Sequence, residues 1–319
     1  MKRVAYYKGC SLEGLAVEYD RSTRIVCEAF GIELVEIPDW NCCGSTPAHS
    51  YDPLLSAALA GRNLAIAADN GCDMVMTPCP GCLKSLKGAQ ETCEDPQQRK
   101  AFVDLVGKDV DGLKTVSLLQ LLYEEVGAEA LQKAVQRPLT GHVLIPYYGC
   151  LLTRPAQKAR FDDPENPISM DRLIEATGAT APDFPYKTEC CGATYGVTRN
   201  DFVGRLGGRI LDMAARLGGE AIVVACPLCQ QNLDMRQKQI NKYYKSAFNL
   251  PVPYISQIIG LALGIDPKVL GLNKLCVSPR VLLEDRTQPD QEAQRVGAAV
   301  KPGPNQPGGI AGGESIQPS

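Results

Sequence analysis

The sequence predicts an α/β protein made of two pseudo-symmetric repeats with parallel βαβ sheets, followed by a polar tail. Three observations predict it. Short apolar runs alternate with stretches of helical spacing, the pattern of a parallel sheet with crossover helices. Ten of the 14 cysteines fall on one template twice, in the same order. From about Pro279 the chain turns polar and rich in proline and glycine. The organisation read from this is a first repeat over 1–140, a second over 141–280 and a tail over 281–319 that lacks the apolar periodicity needed to fold.

The first repeat begins with a β-rich run, Arg3–Tyr7, that ends at Gly9-Cys10. Residues Leu15–Phe30 have helical spacing, with Leu15, Tyr19, Ile25 and Val26 among the apolar positions. Ile32–Ile37 alternates apolar and acidic residues like a half-buried strand and leads to Cys42-Cys43-Gly44. Leu54–Ala68 is alanine-rich and helical, Met74–Met76 is a buried strand ending at Pro78-Cys79, and Cys82 opens another helix. Residues Arg137–Gly141 join the copies. In the second repeat Val143–Tyr148 is a strand ending at Cys150, Ile168–Thr177 and Asp201–Leu217 are helices, and Ala221–Ala225 is a strand followed by Cys226. In parallel α/β sheets, sites collect beyond the carboxyl ends of the strands. All ten template cysteines are therefore expected in loops at that edge.

The template is a lone cysteine, an adjacent pair followed by glycine, and a C-P-x-C. In the first copy these are Cys10, Cys42, Cys43, Cys79 and Cys82; in the second, Cys150, Cys190, Cys191, Cys226 and Cys229. The lone cysteine and the pair are separated by 31 and 39 residues, the pair and the C-P-x-C by 35 and 34. The lead-ins also match, Tyr6-Tyr7-Lys8-Gly9-Cys10 against Tyr147-Tyr148-Gly149-Cys150. Scattered structural thiols explain neither the order nor the spacing, so the pattern reads as a duplicated metal-binding unit.

The type of centre follows from ligand counting. A C-x-x-C puts two thiolates on one turn, as in zinc knuckles and iron–sulfur proteins. Adjacent side chains in an extended segment point to opposite faces and tend to reach different metal atoms, and Gly44 and Gly192 supply freedom for a turn after each pair. One tetrahedral zinc needs four ligands, so five thiolates fit a polynuclear centre better. A Rieske centre needs two histidines among its ligands; His49 and His142 do not occupy matching places. A thioredoxin-like reading of each C-x-x-C leaves three cysteines per copy unused.

The Cys…Cys-Cys-Gly…Cys-Pro-x-Cys pattern, present twice between Lys2 and about Leu275, resembles the CCG cysteine-rich domain, and the whole body resembles the B-type subunit of heterodisulfide reductase. Glycolate- and lactate-oxidising iron–sulfur subunits share the domain more loosely. The resemblance implies two noncubane [4Fe-4S] clusters, one on Cys10, Cys42, Cys43, Cys79 and Cys82, the other on Cys150, Cys190, Cys191, Cys226 and Cys229. The alternative is zinc in place of one cluster. It implies reduction of a disulfide, or oxidation of thiols, between the clusters, with sulfur halves bound to iron. Implied partners are a small C-like subunit with two cubane clusters and a flavin-containing A-like subunit, because the chain has no flavin or nucleotide fingerprint of its own. An electron-transfer module docking on another catalytic subunit, and the equivalent subunit of a sulfur-oxidising complex, are the competing readings.

The remaining features bound the rest. A net charge of −3 and a pI of about 5.6 argue against nucleic acid. The longest apolar stretch, Tyr254 to Ile265, is shorter than the roughly 20 residues of a membrane span, and no apolar run precedes Cys10 as a secretory signal would. Many cysteines without an export signal suggest a reducing, cytoplasmic setting. His49, Lys8 and Tyr195 lie near template cysteines and are candidate proton donors. Their plainer readings are a loop or cap residue, a solvated lysine and a packing residue. Cys27 and Cys72 read as small buried hydrophobes, Cys93 as a near-surface residue, and Cys276 stands outside the template. Trp40 is placed to cover the first centre or simply to fill the core.

Overall fold

A computed structural model describes residues 2–45, 47–284 and 286. In the first repeat the strands β1 (Lys2–Tyr6), β2 (Ile32–Glu36), β3 (Met74–Thr77) and β4 (Lys114–Ser117) form one sheet in the order β2-β1-β3-β4. Every pairing is parallel: Val4 lies opposite Leu34, Ala5 opposite Val75, and Val75 opposite Thr115. The connecting helices are α1 (Gly9–Glu13) and α2 (Val17–Ala29), then α3 (Pro53–Asp69) and α4 (Pro80–Glu94). Asp52 caps α3 by accepting from the backbone N–H groups of Leu54 and Leu55, with Pro53 at the first helical position.

The second repeat has the same plan with fewer full strands. β5 (Leu144–Tyr147) pairs in parallel with β6 (Ala221–Val224), and single parallel bridges join Val143 to Thr180 and Val224 to Tyr254. The flanking lines at Thr180 and Tyr254 thus stand where β2 and β4 stand in the first sheet. Pro251 and Pro253 explain the short edge: neither has an N–H, yet their carbonyls accept from Ile222 and Val224. The helices are α5 (Ser169–Ala176), α6 (Asn200–Arg216), α7 (Pro227–Gln230) and α8 (Ile255–Ala262).

Packing crosses the midpoint of the chain. One core joins Val4, Tyr6, Tyr19 and Met76 of the first repeat to Tyr147, Leu173, Val223, Tyr254 and Ile258 of the second. The other face of the first sheet has its own core, built on Ala5, Val75, Leu64, Leu86 and Phe102. Leu131, just before the linker, is buried in the shared core, and the Gln136 and Arg137 amides donate to the Ala262 carbonyl. The two repeats are therefore packed as one body along α2 and α8.

The first residues of the expected tail pack on the body of the protein. Arg280–Leu283 is a helical turn with Leu282 buried, Arg137 donates to the Leu283 carbonyl, and Arg286 pairs with Glu220. Leu282 supplies one apolar anchor, which periodicity over so short a segment does not reveal. Residues 287–319, most of the expected tail, lie outside the described residues. Among the described residues no helix is long and apolar enough to cross a membrane.

Candidate metal centres

Parallel pairing puts the carboxyl ends of all the strands of a sheet on one edge, and the template cysteines gather there. Cys10 follows β1, Cys42 and Cys43 follow β2, and Cys79 follows β3; Cys150 follows β5 and Cys226 follows β6. Loops hold seven of the ten. Cys10, Cys82 and Cys229 lie instead within α1, α4 and α7. For the last two the reason is the C-P-x-C itself. Cys79 and Cys226 are the N-caps, the proline takes the first helical position, and Cys82 and Cys229 complete the first turn.

Within each repeat the second cysteine of the pair meets the last cysteine of the C-P-x-C. The sulfurs of Cys43 and Cys82 are 3.4 Å apart, those of Cys191 and Cys229 3.7 Å. All four are buried, whereas Cys10 and Cys42 are exposed and Cys150 and Cys190 half-buried. The hydrogen bonds shared with Cys82 and Cys229 hold the Cys43 and Cys191 thiols below the ordinary thiol range, Cys43 at about 6. The same bonds push Cys82 and Cys229 up. Cys190 is drawn down to about 6 by a hydrogen bond from Cys150. A metal that takes these groups as thiolates displaces those protons.

Glycine makes the close approach possible. Gly9 and Gly149 precede the lone cysteines with φ of +66° and +70°. A Cβ on either would stand 3.0 Å from the Cys82 sulfur or 2.9 Å from the Cys229 sulfur. Both copies thus leave the same space beside the same cysteine.

A second layer fixes the loops, and it too is duplicated. The Tyr7 hydroxyl donates to the Asn41 carbonyl at 2.8 Å, and Tyr147 donates to the Glu189 carbonyl at 2.7 Å; each acceptor is the residue before the cysteine pair. In the matched lead-ins Tyr7 thus corresponds to Tyr147, and Lys8 to Tyr148. Asn63 strengthens the first loop by accepting from the Asn41 amide and donating to its carbonyl. In the second repeat α7 runs into a π-helical turn, Gln231–Met235, and Asn232 donates from there to the Cys191 carbonyl at 2.7 Å. Lys187, buried against Asp171, accepts the Tyr148 and Gly149 amides on its own carbonyl.

The single residues divide. Trp40 is half-buried and meets Tyr7 edge to face, so it backs the first loop. Lys8 is half-buried and paired: it meets Glu13 and Glu36 at 2.5 and 2.9 Å, and Glu36 at the end of β2 also pairs with Arg24 of α2. Tyr195 is partly exposed and stacks on Phe202, a packing role. His49 falls in a one-turn helix, Pro47–Tyr51. Cys27 and Cys72 are buried as expected. Cys93 is buried too, contrary to expectation, since α4 turns it inward where its thiol donates to Asp109. Cys276 is exposed.

Among the described residues no group of three or more histidine, cysteine or acidic side chains is arranged as a ligand set for one metal ion. Thiolates spread over the several irons of a cluster do not need that arrangement. Five sulfurs per repeat at one sheet edge, with no histidine among them, fit the soft, thiolate-rich donor set of an iron–sulfur cluster.

Comparison with known proteins agrees with the duplication. The model of the CCG cysteine-rich domain matches residues 4–87 and again 145–234. The 8-methylmenaquinol:fumarate reductase membrane anchor subunit of Wolinella succinogenes is 34% identical over 275 residues, 85% of this chain and 96% of that protein. The B-type subunit of the ferredoxin:CoB-CoM heterodisulfide reductase of Methanosarcina mazei is 30% identical over 285 residues, 87% and 94% of the two chains. A hypothetical protein from Helicobacter pylori shares the fold, with a TM-score of 0.69 at 15% identity over 87% of this chain; the match spans 52% of that protein. With its domain matched in both halves and relatives aligned nearly end to end, this chain belongs to the CCG cysteine-rich domain family, together with the B-type subunits of heterodisulfide reductases.

Proposed function

We propose that this protein is the catalytic iron–sulfur subunit of a heterodisulfide reductase-type complex. In this reading Cys10, Cys42, Cys43, Cys79 and Cys82 hold one noncubane [4Fe-4S] cluster, and Cys150, Cys190, Cys191, Cys226 and Cys229 hold a second. The observation that carries it is the completeness of both sets on matching strand ends, with the Cys43–Cys82 approach repeated by Cys191 and Cys229. The heterodisulfide reductase relative supports the substrate class, a disulfide or its thiols.

When bound, each cluster would supply one electron, so two clusters match the two electrons that a disulfide takes up. The protein's own part is to hold the sulfurs. Tyr7, Tyr147, Asn63 and Asn232 tie the cysteine-pair loops to the sheets. Gly9 and Gly149 keep space beside the last cysteines. Burial of the inner sulfurs limits water, one means by which a protein sets cluster potential. Electrons would arrive from a small iron–sulfur subunit and a flavin-containing subunit, in a cytoplasmic complex.

The fumarate reductase relative favours a second reading, an electron-transfer module for a catalytic subunit elsewhere. Electron paramagnetic resonance on the oxidised, anaerobic protein separates the two. A catalytic subunit gives a new signal when a thiol substrate binds. An unchanged spectrum with all candidate thiols, at full iron content, supports the relay.

A further inference from the structure

The seam between the repeats contains a polar group that the cysteine sets do not account for. Tyr19 of α2 stacks on Tyr254, which precedes α8, with ring centroids 3.9 Å apart and planes within 2°. Both rings are fully buried. The seam is pinned beside them by Ser22 and Ser256, whose hydroxyls lie 2.7 Å apart in the same buried layer.

The two hydroxyls differ. That of Tyr254 donates to Gln230 in α7 at 3.4 Å. That of Tyr19 has no hydrogen-bond partner among the described residues. Buried hydroxyls are ordinarily satisfied, and leaving one bare is costly. Phenylalanine would keep the stack without that cost, so the oxygen calls for an acceptor.

The surroundings say where one would be. Tyr254 is bridged to Val224, two residues before Cys226, so the stacked pair lies beside the end of β6 that leads to the C-P-x-C of the second set. Burial raises the Tyr19 pKa far above its ordinary value, and the thiols of Cys226, Cys79 and Cys27 raise it further. Cys226 and Cys79 are the N-cap cysteines of the two C-P-x-C turns, one from each set. Tyr19 therefore keeps its proton, on a buried oxygen without a partner at the seam between the two sets.

We propose that Tyr19 is a positioning residue whose hydroxyl donates a hydrogen bond to sulfur of a cluster at the seam, tuning that centre and linking it to its neighbour. This rests on the two-cluster reading above. A donor aimed at cluster sulfur favours the reduced, more negative form, so its removal should lower the potential. The step involves no transfer of atoms; the proton stays on the phenol.

The test compares Tyr19→Phe with Tyr254→Phe in the full chain, prepared anaerobically. Iron per chain is measured first, then a redox titration is followed by electron paramagnetic resonance. Tyr19→Phe should keep wild-type iron content and circular dichroism. It should make at least one centre about tenfold harder to reduce, roughly 59 mV for a one-electron couple. Tyr254→Phe, which keeps the stack and loses only a long hydrogen bond, should titrate close to wild type. Titration of Tyr19→Phe like wild type overturns the inference while leaving the two-cluster reading in place. Equal shifts in both variants also overturn it, because they assign the effect to the stack and not to the hydroxyl. Wild-type protein with iron for only one cluster overturns both.

Discussion

Cys43 and Cys82 stand 39 positions apart in the chain and bring their sulfurs to 3.4 Å. The sheet does this: β2 and β3 flank β1 in parallel, so the loop after β2 and the helical turn after β3 emerge at one edge. Cys43→Ser should therefore empty the first set and leave the second intact. On the two-cluster reading, iron should fall from about eight to about four per chain. Cys191→Ser should do the reverse. Loss of both centres with retained circular dichroism would refute the assignment of ligands by repeat. Cys276→Ser, at an exposed position outside both sets, should change neither.

Gly9 and Gly149 should be intolerant of alanine for two separable reasons. A left-handed φ costs an L-residue roughly 1–2 kcal/mol. The added Cβ would also press on the Cys82 or Cys229 sulfur. Gly31, with φ of +70° and nothing within 4 Å of its Cβ position, bears the first cost alone. Gly31→Ala should lower stability in urea by about that backbone cost and keep its iron. Gly9→Ala and Gly149→Ala should lose iron from one set each. Full iron in both would show that the space beside the sulfurs is not needed.

Removal of the duplicated tyrosine bond should loosen one loop at a time. Tyr7→Phe takes one of two donors from the Asn41 carbonyl, and Tyr147→Phe takes the tyrosine donor from the Glu189 carbonyl. A hydrogen bond of this kind contributes about 0.5–1.5 kcal/mol net. The loss should be smaller for Tyr7, because Asn63 also donates to the Asn41 carbonyl. Chelator-driven iron release, measured against wild type, should be faster from the matching set in each variant. Equal release rates would confine both tyrosines to packing.

Much of this arrangement is legible in the sequence. Met74–Met76 and Ala221–Ala225 are apolar runs short enough to be strands, and the structure places β3 and β6 there within a residue. The ten cysteines can be grouped because order and spacing survive duplication. β4 (Lys114–Ser117) escapes a sequence reading, since four residues opening with a charge carry little periodicity. The Tyr7–Tyr147 correspondence is hidden by the adjacent Tyr6 and Tyr148, which allow the lead-ins to be aligned one residue out. Counting back from Cys10 and Cys150 finds it. The Tyr19–Tyr254 stack has no sequence signal at all, because the two residues stand 235 positions apart and only the packing of the repeats joins them.

The C-terminal boundary can be tested by truncation. Ending the chain after Arg286 should leave iron content and unfolding unchanged, since Arg286 still reaches Glu220. Leu282→Ala should cost about 2–5 kcal/mol, the usual range for a buried leucine. A melting temperature equal to wild type for Leu282→Ala would show that the turn at Arg280–Leu283 does not contribute to the core.

The two centres should also act as a unit. If each handles one half of a disulfide, both are required for turnover. A variant with one centre should still accept single electrons from a dye. It should not reduce a disulfide at a useful rate, since the remaining centre would have to deliver two electrons in succession. Cys42→Ser and Cys190→Ser should therefore be comparably inactive, and the double variant scarcely worse. Such non-additivity is expected of groups that act together. Both cysteines are good choices because neither sulfur belongs to the buried pairs, Cys43–Cys82 and Cys191–Cys229, that sit in the core. Loss of fold should then be small, and circular dichroism normalises each assay to folded protein. Near-wild-type disulfide reduction in either single variant would assign catalysis to one repeat and leave the other as a relay or a structural metal site.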